Sequence, residues 1–82
     1  MDKEHIEMLA VCAVAYALTK SDVNVVDVTG IICSNIDFFD DKTRFYITAE
    51  IEYALHKGKI VNQGHQKLWQ HVVDEFKKKG ER

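Results

Sequence analysis

The chain contains no proline. Nothing in it therefore forbids a long helix, and no Pro-rich linker divides it. Glycine is scarce, and Gly30, Gly58, Gly64 and Gly80 stand alone. The clustered glycines of a phosphate-cradling loop are missing. Cysteine is limited to Cys12 and Cys33, 21 residues apart, a spacing that matches no zinc or C-x-x-C redox motif. Both lie in apolar stretches and read as small hydrophobes, with a disulfide as the alternative. Long apolar runs are absent too. Met8–Leu18 covers 11 residues, against the roughly 20 that a membrane span needs. The opening Met-Asp-Lys-Glu-His-Ile-Glu is net acidic and lacks the basic start of a secretory signal. The expectation is a cytoplasmic chain with no membrane segment.

What is present describes one small domain over residues 1–82. The apolar fraction is 46% and the charged fraction 29%, both ordinary for a globular protein. A chain of this length sits near the lower limit for a single core, so a partner or second copy would add useful stability. The net charge of −2 hides an asymmetry. Residues 1–41 carry two lysines against eight acids, and residues 42–82 carry nine basic residues against five acids. The plainer reading is two differing solvated faces. The functional one is a charged surface that meets a partner of opposite sign.

The apolar spacing predicts an all-α bundle of about four helices. The first spans about 3–19, with Asp2 as its cap and Glu4 and Glu7 where the helix dipole favours acids. Its apolar residues run all the way round, so it is either central in the core or covered by another chain. The second spans about 23–39, with Ser21 or Asp22 as cap and Val25, Val28, Ile32, Ile36 and Phe39 on one stripe. Its Val and Ile content and Gly30 leave a strand open there. The third spans about 41–57, with Ile47, Ile51, Ala54 and Leu55 on one face and Gly58 as its stop. Because Ile47-Thr48-Ala49-Glu50-Ile51-Glu52-Tyr53 alternates strictly, the alternative is an α+β fold with a strand or hairpin in residues 44–62. The fourth spans about 63–79. Asn62 caps it, Leu68, Trp69, Val72, Val73 and Phe76 form its stripe, and Lys77–Lys79 sit at its C-terminus.

No catalytic motif emerges, and no enzymatic activity, metal or cofactor is expected. His5-Ile6-Glu7 matches half of a zinc deaminase signature, but the P-C-x-x-C half is missing. The acidic run around Asp37, Asp40 and Asp41 lacks the order of a calcium loop and reads as a turn that caps the next helix. Glu52 and His56 share a helix face, which suits a surface pair better than half a metal site. His65 and His71 lie about 240° apart round a helix and cannot grip one ion.

Two functions fit. The first is a small protein-interaction module: an adaptor, subunit or inhibitor binding a partner protein. Phe38, Phe39, Phe45, Tyr46 and Tyr53 cluster around the middle of the chain, and Phe38, Phe39, Phe45 and Tyr46, with Arg44, are the candidate contacts, because aromatic side chains and arginine dominate interface energetics. Plain core is the competing reading for these aromatics. Small chains of this kind are common among phage and mobile-element products. Small residues Ala10, Ala13, Val14 and Ala17 on the first helix suggest a homodimer through it. The second function is a helix-turn-helix regulator whose fourth helix presents Asn62, Gln63, His65, Gln66 and Lys67 to DNA, flanked by Lys57 and Lys59. A pI near 6.0 makes nucleic acid the weaker partner.

Overall fold

The structure is a computed structural model that describes residues 2–20 and 22–80. The described residues form four α-helices: α1 (Lys3–Thr19), α2 (Val25–Ser34), α3 (Asp41–His56) and α4 (Gln63–Gly80). A single 3-10 turn, Ile36–Phe38, links α2 to α3, and no strand occurs among the described residues. The all-α bundle therefore holds and the strand alternative for residues 44–62 falls. The physical reason lies in which side chains α3 buries. In a strand, Ile47, Ala49, Ile51 and Tyr53 would share one face. Instead Ile47 and Ile51 are fully buried, and Ala49 and Tyr53 are exposed.

Each helix starts on a side-chain cap. Asp2 accepts from the His5 N–H at 3.0 Å, Asp40 from Thr43 at 2.9 Å and Asn62 from His65 at 3.0 Å. The cap of α2 is neither of the two expected residues. Ser21 lies outside the described residues, and Asp22 falls in the preceding turn. Asn24 takes the role, accepting from the Asp27 N–H at 3.2 Å. That helix also stops five residues short of Phe39. Asn35 donates its side-chain N–H to the Ile31 carbonyl at 2.8 Å, and the chain tightens into the 3-10 turn. At the end of α3, Gly58 adopts φ +70°. Its N–H reaches the Leu55 carbonyl at 3.3 Å, and the Lys59 N–H reaches Ala54 at 3.0 Å. These two bonds satisfy carbonyls that the helix end leaves open.

Val14, Ile47, Ile51, Trp69, Val72 and Val73 form the fully buried centre, ringed by Leu18, Val25, Ile32, Phe39 and Phe76. The packing does not follow chain order. α1 lies chiefly on α3, α3 on α4, and α2 on α4, while α1 and α2 touch little. α1 is thus an edge helix. It buries Glu7, Val14, Ala17 and Leu18 and turns Ile6, Met8, Leu9, Cys12, Ala13 and Tyr16 to solvent. Of the four small residues expected on a dimer face, Val14 and Ala17 belong to the chain's own core, Ala10 is half-buried and only Ala13 is exposed. No helix is long and apolar enough to cross a membrane among the described residues.

Candidate interaction surfaces

The polar chemistry of the domain concentrates where α1 meets the start of α3. Glu7 is 5% exposed, an unusual burial for a carboxylate. Its oxygens accept the Asp40 N–H at 3.2 Å and pair with Lys3 Nζ at 3.2 Å. A hydrogen bond from the Thr43 side chain, followed by the Asp40 amide and Lys3, holds its pKa below 4.5 against the opposing effect of burial. Asp40 is lowered as well, first through the Thr43 amide that it caps. A groove of about 440 Å³, lined by Lys3, Glu7, Met8, Asp40, Thr43 and Tyr46 among others, opens beside this cluster. Both carboxylates are ionised at neutral pH and committed to the first turn of α3. They act as a splice between helices, since amides at a helix start favour negative charge. Glu7 was expected as a dipole partner at the start of α1, and its burial is new. The signal is its phase, seven residues before Val14 on the same face.

The aromatic candidates divide. Phe39 is 6% exposed and packs on Phe76 with ring centroids 6.3 Å apart, so it belongs to the core. Arg44 is also spent. Its guanidinium donates to the Phe39 carbonyl and pairs with Asp41, fixing the start of α3. Phe38 is partly exposed at the end of the 3-10 turn, beneath Lys3 Nζ at 5.3 Å from its ring. Phe45 is 68% exposed, and its ring lies edge-on to exposed Tyr46 with centroids 6.0 Å apart. Two turns along, Tyr53 extends the same outer side of α3 and is likewise exposed. Lys42 Nζ stands 5.9 Å from the Tyr46 ring, and Lys57 and Lys59 stand 5.9 and 5.0 Å from Tyr53. The outer face of α3 is therefore an aromatic strip edged by lysines. Tyr53, a member of the mid-chain aromatic cluster though not one of its singled-out contacts, joins Phe45 and Tyr46 here.

Five of the seven residues expected to read DNA are drawn into local structure. Asn62 serves as the cap of α4. Gln66 donates to the Ile60 carbonyl at 2.6 Å. His65 is half-buried and lines a pocket with Trp69. Lys57 and Lys59 fold back over Tyr53. Gln63 and Lys67 remain exposed at the head of the helix. The two cysteines are free, and Cys12 lies at the surface rather than in the core. Burial, with the Glu75 carboxylate adding to it, pushes the Cys33 thiol up. It therefore stays protonated and is a poor nucleophile at neutral pH. Glu52 pairs with Lys77 on α4 at 2.8 Å, and no three potential metal ligands converge among the described residues. No protein-family model, no curated protein and no solved structure matches this chain.

Proposed function

We propose that this chain is a non-enzymatic protein-interaction module that binds an acidic surface of a partner protein through the outer face of α3. The supporting observation is the strip of Phe45, Tyr46 and Tyr53, exposed together and flanked by Lys42, Lys57 and Lys59. The domain has already filled its core with Ile47 and Ile51 from the inner face of the same helix. The outer aromatics add nothing to that core. Exposed Tyr and Phe carry large contact area at low entropic cost and anchor interfaces, and the lysines favour a partner of negative charge. A non-catalytic role is supported by the fate of the shifted groups: Glu7 and Asp40 are tied to a helix start, and Cys33 is protonated.

The test is affinity capture from the source cells with the wild type and with Phe45→Ala/Tyr53→Ala, each partner being quantified. Loss of two anchors lowers partner affinity by about 30-fold or more, with melting behaviour unchanged. Capture that survives the double substitution but fails with Gln63→Ala/Lys67→Ala would move the binding face to the head of α4.

A further inference from the structure

The solvent side of α1 has an order that the bundle itself does not use. Ile6, Leu9, Ala13 and Tyr16 are all exposed and follow one another at intervals of three, four and three residues. Asp2 and Lys20 continue the same line four residues beyond either end. This is the 3-4 spacing of a coiled-coil seam. It points away from the buried face of the helix, where Glu7, Val14 and Leu18 lie. Leu9 is 56% and Tyr16 55% exposed, so the described residues leave most of the seam open.

From this we infer that α1 pairs with α1 of a second copy in antiparallel register about a two-fold axis beside residue 11. The register follows from size and charge along the seam. Run antiparallel, Ile6 faces Tyr16 of the second copy, Leu9 faces its Ala13, and Asp2 faces its Lys20. Each large residue meets a different or smaller one, and each acid meets a base. Run parallel, every residue meets itself: Asp2 opposes Asp2, Lys20 opposes Lys20, and the Ala13 layer is left underfilled. An isologous antiparallel pair also sets each helix N-terminus beside the opposite C-terminus, which the helix dipoles favour.

Features beside the seam support the same register. Ile6 and Leu9, with Ile31 and Phe38, line a pocket of about 480 Å³ between α1 and the α2 end of the bundle. Tyr16 of the second copy reaches this pocket when it stands opposite Ile6, and symmetry provides two such sites per dimer. At the ends, Lys20 Nζ stays close to the seam, 5.6 Å from the Tyr16 ring. Asp2 uses one carboxylate oxygen for the His5 N–H and the His5 ring Nδ1, each at 3.0 Å, which leaves its other oxygen to face Lys20 of the second copy. The interface is separate from the α3 strip, so self-association and partner binding fail independently.

Sedimentation equilibrium on the full chain tests the proposal. Over about 1–500 µM the wild type is expected to pass from monomer to dimer. Leu9→Glu sets two carboxylates per dimer against apolar partners and raises Kd about 100-fold, with the monomer's melting temperature unchanged. Register is tested by a cycle between residues 2 and 20. Lys20→Glu places like charges together and weakens the dimer about five-fold. Adding Asp2→Asn, which keeps the helix cap, recovers most of that loss, whereas Asp2→Asn alone gives a small weakening. In one copy the two positions stand about 27 Å apart along the helix, where substitutions act additively. Coupling between them therefore passes across the interface. A monomer over the whole range, a dimer indifferent to Leu9→Glu, or additive effects at residues 2 and 20 would each overturn the inference.

Discussion

Trp69 is 1% exposed, the largest fully buried side chain of the domain. Replacing it with alanine costs about 3–5 kcal/mol. A domain of this size has roughly 4–12 kcal/mol in total. Trp69→Ala is therefore expected to show a substantial unfolded population in a urea titration at ambient temperature. Glu7 acts at the same scale through protons. Its pKa in the fold lies below the ordinary 4.5, so the unfolded chain binds the proton more readily. The stabilisation is complete above the unfolded value and is lost as pH falls through the lowered folded one. Thermal melts of the wild type should hold steady down to about pH 5 and then decline. Glu7→Gln should melt lower at pH 7 and show a shallower acid decline. An acid limb identical to that of the wild type would exclude Glu7 as its source. Trp69 was legible in the sequence because it stands on a stripe with Val72, Val73 and Phe76. Glu7 was not, since its partner amide at Asp40 is 33 residues away.

At the scale of the helix, two glycines of the same chemistry should respond in opposite directions. Gly58 holds φ +70° with open space around its Cβ position, so Gly58→Ala meets only the backbone cost of the left-handed region, about 1–2 kcal/mol. Gly30 lies inside α2, exposed and without a nearby atom. Gly30→Ala there stabilises by about 0.5–1 kcal/mol through helix propensity. Urea midpoints moving down for the first and up for the second would confirm both assignments. Helix ends were readable in advance where a cap is unambiguous, as at Asp2, Asn62 and Gly58. The start of α2 was not, because Asp22 and Asn24 are both good caps and only packing selects between them. Its end was hidden for a related reason. Ile36 and Phe39 continue a helical stripe, but a side-chain bond from Asn35 to Ile31 diverts the chain first. The strip on α3 was half legible. Its aromatics were evident in composition, but the division between buried Phe39 and exposed Phe45 is set by a tertiary contact with Phe76.

For the molecule as a whole, the acidic and basic halves of the sequence do not become two lobes. α1 packs on α3 and α2 on α4, so the halves interleave, and Lys79 of the basic half pairs with Asp37 of the acidic one. This order also bears on how the chain folds. Only α3 and α4 are both sequence neighbours and well packed, so among the well-packed pairs their hairpin closes the shortest loop and is expected to form the nucleus. Ile51→Val and Val73→Ala should slow folding, with φ-values of about 0.5–0.8, and Val14→Ala should mainly hasten unfolding, with a value of about 0–0.3. Stopped-flow chevrons distinguish these outcomes, and a high value at Val14 would place α1 in the nucleus. During synthesis the same arrangement imposes a delay. α1 leaves the ribosome roughly 40 residues ahead of the end of α3, which at cellular elongation rates is about 2–8 s. Through that interval the α1 face that carries Val14, Ala17 and Leu18 lacks the α3 surface on which it docks.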